Sequence, residues 1–328
     1  MEETSDFASK GAGETAAGAG VSPASAGAVA SSPASGAAGV GPAAAGGGKI
    51  GVVDVGGGMR GSFGAGVFDF CLDAGIWFDY AIGVSAGSAN LTSYLAGQRG
   101  RNLVFYTDFA FRKEYMSLAH FMRTGNYINL DYIYSTLSNS DGEFPLDYPA
   151  LAARGVPFDV VVTDAATGLP DYFPLDSMVQ DDYGAVKASC CVPGVNRPYA
   201  WHGGRYFDGG ASDPIPFRRA FAAGCDRVVV VLTRPREYRR DPKRDEPTIR
   251  LLRRRYPAVA KTLRRRAEVY NRQLEEALAL EAEGRVLVVA PDAASVEGLK
   301  TLTKDRSAIR GLYDRGYEEA RSIAEFVQ

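Results

Sequence analysis

The sequence predicts an α/β fold in which a mostly parallel central sheet is flanked by helices. Three observations carry that expectation. Short apolar runs at 49–55 and 79–84 read as buried strands, and each leads into a helical stretch. Glycines stand where those strands end, at Gly56, Gly57, Gly58 and Gly61 and again at Gly83 and Gly87. Strand, glycine loop, helix, strand, turn, helix is the order that crossover helices on a parallel sheet produce.

Composition sets the outer limits. A chain of 328 residues, 46% hydrophobic and 23% charged, can bury one large core or two modest ones. A formal net charge of -2 argues against a general nucleic-acid binder. No apolar run approaches the roughly 18 residues that span a bilayer. The start, Met1-Glu2-Glu3-Thr4, lacks the basic and apolar regions of a secretory signal. Cys71, Cys190, Cys191 and Cys225 lie among apolar neighbours without metal-ligand spacing, which reads as buried reduced thiols. The expected location is therefore the cytoplasm.

Taken in order, residues 1–48 are almost wholly Ala, Gly, Ser and Pro, too poor in large apolar side chains to offset their ordering entropy. A disordered tail is expected there. Composition changes abruptly at Lys49. After the first strand, a helix over about 62–75 places Phe63, Val67, Phe70, Cys71 and Ala74 on one face. Residues 99–148 are rich in aromatics, Phe105, Tyr106, Tyr115 and Tyr134 among them, and read as mostly helical. That segment is either a packed helical layer or an apolar cap over an acyl-binding cleft. Residues 157–164 form a further central strand, and 168–173 pair with it or its neighbour. A helix follows over 181–189. His202-Gly203-Gly204 between two short strands reads as a tight hairpin, with Asp208-Gly209-Gly210 at the end of its second strand. Helix 216–224 and strand 227–232 complete a doubly wound pattern.

Between Arg234 and Arg266 lie 14 Arg or Lys and four Asp or Glu, on helices either side of Pro257. A solvated face is the plain reading of that segment; contact with an anionic membrane is the sharper one. Strand 285–290 and an amphipathic helix over 305–326 close the chain, which contains no internal repeat.

The chemistry centres on Gly83-Val84-Ser85-Ala86-Gly87. A G-x-S-x-G run between a strand and a helix makes a nucleophile elbow, which exposes the serine hydroxyl at a sharp turn. Gly56-x-Gly58-x-x-Gly61 also fits a dinucleotide fingerprint, but the second strand ends in Ser85 rather than in an acidic residue that would hold a ribose. No Lys-Ser or Lys-Thr follows the glycines, which excludes a Walker A loop. The remaining use of the loop is an oxyanion hole built from backbone N–H groups. For the base, Ser85 with Asp164 or Asp171 and His202 gives a formal Ser-His-Asp triad. Asp208 leaves its strand into two glycines and is placed to reach a neighbouring strand end.

Asp54-Val55-Gly56-Gly57-Gly58-Met59-Arg60-Gly61, Gly83-Val84-Ser85-Ala86-Gly87 and Asp208-Gly209-Gly210 together resemble the three signature blocks of the patatin-like phospholipases. The segment Lys187-Ala188-Ser189-Cys190-Cys191-Val192-Pro193-Gly194 is similar to the one before that family's catalytic aspartate. The later runs Leu251-Leu252-Arg253-Arg254-Arg255-Tyr256-Pro257 and Gly311-Leu312-Tyr313-Asp314-Arg315-Gly316-Tyr317 resemble a bacterial branch of it. Val55 stands where the family commonly has glycine. The resemblance implies a three-layer fold with a catalytic core over 49–221, completed by 222–328. It implies Ser85 as nucleophile and Asp208 as base without a histidine, an oxyanion hole at Gly56, Gly57 and Gly58, and Arg60 orienting that loop ahead of Gly61. Neither a metal nor a cofactor is expected. The implied substrate is a phospholipid or another acyl ester. The alternatives are the histidine triad, or a silent lipid-binding module in which Ser85 and Asp208 only shape the site.

Overall fold

The structure, a computed structural model, describes residues 48–328; the expected tail lies outside the described residues except for Gly48. Strand β1 (Ile50–Asp54) passes through the glycine loop into α1 (Ser62–Asp73), and β2 (Tyr80–Val84) turns at Ser85 into α2 (Ala86–Leu95). Short helices α3 (Arg101–Thr107), α4 (Leu118–Thr124) and α5 (Tyr148–Ala153) lead to β3 (Phe158–Asp164) and β4 (Pro170–Pro174). Helix α6 (Gly184–Ser189) precedes the hairpin of β5 (Tyr199–Trp201) and β6 (Gly204–Asp208). Next come α7 (Phe217–Ala222), β7 (Arg227–Val231), α8 (Glu246–Leu252) and α9 (Pro257–Ala282). The chain closes with β8 (Val286–Val289), α10 (Arg306–Glu319) and α11 (Arg321–Phe326).

The strands form one eight-stranded sheet in the order β5-β6-β3-β2-β1-β7-β8, with β4 also paired to β3. Strands β3, β2, β1, β7 and β8 are parallel. Strands β4 and β6 run antiparallel to β3, and β5 antiparallel to β6. This is the predicted α/β architecture. Because helices cover both faces, β1 and β2 are buried at every position and, apart from Asp54 at the end of β1, read as apolar runs. Alternate residues serve opposite layers. Val53, Ile82 and Val230 meet Phe217 of α7 and Tyr270 and Leu274 of α9. On the other face Val52, Ala81 and Val229 meet Phe63 of α1, Leu91 of α2 and Leu312 of α10.

Two expectations are revised. The closing helix is broken at Ala320 into α10 and α11, which lets Ile323 turn into the core that also holds Ile309 and Leu312. The aromatic segment is less helical than its spacing predicted, because Gly100 and Gly125 adopt φ of 77° and 78° and bound α3 and α4. No described helix is long and apolar enough to cross a membrane.

Strand register places the site. Val84 lies beside Val161 on one edge of β3, and Asp208 lies beside Val162 on the other. The backbones at Ser85 and Asp208 therefore flank the same point of β3, about 10 Å apart at ordinary strand spacing.

Candidate active site

Ser85 adopts φ 57° and ψ -131°, a conformation that a residue with a Cβ rarely takes and that persists only where its surroundings hold it. Both of its peptide groups are held. The Ser85 N–H donates to Ser189 Oγ at 2.7 Å, and Ser189 Oγ donates in turn to the Val161 carbonyl at 2.6 Å. Ser88 Oγ donates to the Ser85 carbonyl at 2.6 Å. Gly87 follows because a Cβ there would collide with the Asp54 carbonyl, and Gly83 because one would strike the Ser88 backbone. The elbow thus holds Ser85, a nearly buried residue at 7% exposure, beside the end of β3.

Asp208 lies beside the Ser85 hydroxyl. Its Oδ1 accepts the Gly210 N–H at 2.8 Å, and its own N–H donates to the Cys191 carbonyl at 2.8 Å. Burial pushes the Asp208 carboxyl above the usual carboxylate range, opposed by the Ser85 hydroxyl as hydrogen-bond donor, the Arg266 guanidinium and the Gly210 N–H. Gly209 packs so closely on β3 that a Cβ would strike the Val161 carbonyl, which fixes the turn carrying Asp208.

The histidine triad is not assembled. His202 sits in the β5–β6 turn with φ 45°, stacked on Trp201 at 3.9 Å between ring centroids. About 13 Å of strand separates that turn from Asp208 at the other end of β6. Asp164 is engaged in its own turn, accepting the Ala166 and Thr167 N–H groups at 3.0 and 2.7 Å. Asp171 is exposed on β4.

The glycine loop lies beside the elbow, with φ of 60°, 131° and 62° at Gly56, Gly57 and Gly58. The expectation that all three N–H groups face an oxyanion needs correction at the first. Gly56 donates to Asp54 Oδ1 at 2.9 Å, while its carbonyl accepts the Thr233 hydroxyl. Among the described residues the Gly57 and Gly58 N–H groups make no hydrogen bond, and Gly58 lines the same cavity as Ser85. Asp54 is wholly buried, and its carboxyl is pushed up to about 6 by burial against the Asn90 and Gly56 donors. Asn90 bridges Asp54 Oδ2 and the Gly61 carbonyl, both at 2.9 Å, which ties the loop to α2. Arg60 is buried behind the loop, its guanidinium facing Gly57 and the Thr301 hydroxyl. Burial, together with Arg234 and Arg244, lowers Arg60 to about 9.

Ser85 opens into a cavity walled mainly by apolar side chains. Phe105, Tyr106, Tyr115 and Tyr134 of the aromatic segment form much of its wall, while Phe105 and Phe109 also pack with Ile133 and Leu137 in a small core. The segment is a packed layer and a cavity wall at once.

The model of the family described as patatin-like phospholipase matches residues 55–221, just over half of the chain. The chain belongs to that family. A second model, described as a domain of unknown function, matches residues 256–327 of this patatin-like protein. Over 185 residues the chain is 31% identical to the uncharacterized protein YjjU of Escherichia coli strain K12, covering 55% of this chain and 50% of YjjU. This patatin-like chain thus spans about half the length of that curated relative. The crystal structure of VipD from Legionella pneumophila aligns with a TM-score of 0.43 at 14% identity, covering 85% of this chain and 67% of that one.

Three members of this patatin-like site escaped the sequence reading. Ser189 lies inside the quoted segment before the aspartate, but only the fold shows it bracing the elbow. Asn90 is one polar residue among several on α2. Arg266 carries a clearer signal. It sits three residues after Leu263 and four before Tyr270, on the buried face of α9, whereas Arg264 and Arg265 are exposed. Its guanidinium packs beside Gly210 and lies 3.6 Å from Asp245, which also pairs with Arg240 at 2.6 Å. Burial and Arg240 lower Arg266 to about 10, and its Nε has no hydrogen-bond partner among the described residues.

Proposed function

We propose that this protein is a serine acyl hydrolase that cleaves fatty-acyl esters of phospholipids or related lipids through an acyl-enzyme. One observation carries the reading: the Ser85 hydroxyl lies beside the Asp208 carboxylate and opens onto an apolar cavity that Gly58 also lines, with the Gly57 and Gly58 N–H groups unpaired among the described residues. In the first half-reaction Ser85 Oγ attacks the ester carbonyl carbon as its proton passes to Asp208. The oxyanion takes hydrogen bonds from the Gly57 and Gly58 N–H groups. Collapse breaks the bond to the alcohol, which leaves with the proton that Asp208 returns. A water, deprotonated by Asp208, then attacks the acyl-enzyme, and the fatty acid is released as Asp208 returns that proton to Ser85 Oγ. A carboxylate raised by burial is a stronger base than a solvated one, which is what a hydroxyl nucleophile requires.

Residues 222–328 serve this site as part of the same domain in our reading, supported by β7 beside β1 and by Arg266 beside Asp208. The Arg-rich segment offers exposed Arg253, Arg254, Arg255, Arg264 and Arg265 to anionic headgroups, and salt-sensitive vesicle binding would measure that contribution.

The experiment that tests the reading is covalent labelling by a fluorophosphonate. Wild type and His202→Ala are expected to label and to hydrolyse a p-nitrophenyl ester, and Ser85→Ala to do neither. A folded wild type that does not label would instead make this a binding module.

Arg266 should act as a positioning residue that keeps Asp208 ionised. Three other features face that carboxylate: the Ser85 hydroxyl, the Gly210 N–H and the thiols of Cys190 and Cys191, which burial keeps neutral. Arg266→Met removes the only full positive charge among them. The Asp208 pKa then rises, so the acid limb of kcat/KM moves to higher pH, and Arg266→Lys restores it in part. A limb that stays in place in the folded methionine variant rejects this role.

A further inference from the structure

Helix α4 buries none of its seven residues. Leu118, Phe121 and Met122 are 65%, 44% and 79% exposed, and their spacing puts them on one face. A helix this short is marginal in water on its own. Here Ser117 Oγ accepts the His120 N–H at 3.2 Å, and Gly125 ends it in the left-handed conformation. The other large apolar side chains exposed among the described residues, Trp77, Leu169, Val179 and Leu251, are scattered singly.

The position of α4 gives this face a purpose. Met116, just before the helix, bridges to Ile128, just after it, and both line the cavity that holds Ser85. The helix therefore projects from the cavity wall itself. Its surroundings are cationic: Lys113 and Arg123 are exposed in the same segment, and the Arg197 guanidinium lies against Gly125. The neighbouring ion pairs, Arg112 with Glu143 and Lys187 with Asp131, leave all three of these cations without a carboxylate partner among the described residues. Glu114 is the one acidic residue between positions 112 and 125. An apolar face bordered by free cations is complementary to an anionic lipid surface, where acyl chains lie beneath phosphates.

We propose that α4 is the interfacial anchor of this protein, and that Leu118, Phe121 and Met122 enter an anionic phospholipid surface while Lys113, Arg123 and Arg197 meet its headgroups. A lipid then passes from the surface into the cavity past Met116 and Ile128 with its acyl chain shielded from water. The inference rests on reading that cavity as the acyl site.

The test is flotation of the full chain, in a Ser85→Ala background that spares the lipid, with vesicles of phosphatidylcholine and phosphatidylglycerol. The combined change Leu118→Gln, Phe121→Gln and Met122→Gln should lower vesicle partitioning at least about a hundredfold, since three apolar side chains lose their burial. Val179→Gln should leave partitioning unchanged. With Ser85 intact, the triple variant should turn over a soluble short-chain ester as wild type does. If it melts early, Met122→Gln alone must still weaken flotation for the proposal to stand. Undiminished flotation of the folded triple variant overturns the proposal. So does a wild type that is dimeric in solution and becomes monomeric in the triple variant, because a second copy would then cover α4. Hydrolysis persisting in Ser85→Ala would reject the catalytic reading alone, since flotation reports on α4 without turnover.

Discussion

Replacing Asp208 by Asn is expected to lower kcat on a p-nitrophenyl ester by about a thousand- to ten-thousandfold, the scale on which a general base contributes to acyl transfer. The substitution is nearly isosteric, and the carbonyl oxygen of the new amide can still accept the Gly210 N–H that Asp208 Oδ1 accepts at 2.8 Å. It also removes a buried carboxylate that burial alone disfavours, so the melting temperature should hold or rise. The loss would therefore be chemical: the Ser85 hydroxyl keeps its proton, and attack on the ester proceeds without a base. Because Ser85 and Asp208 act as one unit, adding Ser85→Ala to Asp208→Asn should reduce the rate little further. Phosphonate labelling should slow in parallel with kcat, while KM moves little. An Asp208→Asn variant that keeps more than a tenth of the wild-type rate would require a different base.

The reach of the sequence differed sharply between backbone and side chains. Strands β1, β2 and β3 were legible because parallel strands covered on both faces are apolar along most of their length. Gly83 and Gly87 were legible for a related reason, since an elbow packed closely on the start of α2 and on β1 tolerates no Cβ at either position. Which N–H of the glycine loop stays free was not legible. That depends on Asp54, which takes the Gly56 donor, and nothing local distinguishes Gly56 from its neighbours. Arg266 was hidden by its company: within a run of arginines, composition signals a solvated face, and only the helical phase relative to Leu263 and Tyr270 marks the one that faces Asp208. The 99–148 segment is less helical than its spacing predicted, although its aromatics were sound as a sign of the cavity wall.

Gly58→Ala should lower kcat by about a hundred- to a thousandfold, the cost of misplacing one oxyanion donor. Two features make the position intolerant. Gly58 has φ 62°, where an L-residue is strained by roughly 1–2 kcal/mol, and an added Cβ would collide with the Thr301 carbonyl. That carbonyl cannot easily give way, because it accepts the Met59 N–H at 2.9 Å and Thr301 itself lines the cavity. The loop must shift instead, and a displacement of its N–H groups by a few tenths of an ångström is felt where negative charge develops rather than where the neutral ester binds. KM should therefore change much less than kcat, since an oxyanion hole stabilises the transition state more than the ground state. Circular dichroism and a melting curve, measured beside the kinetics, separate this from unfolding: the variant should melt earlier yet remain folded at the assay temperature. If folded Gly58→Ala keeps kcat within about threefold of wild type, far less than the loss of one oxyanion donor brings, the oxyanion must be held elsewhere. The Ala86 N–H at the start of α2, beside Ser85, would then be the next donor to examine.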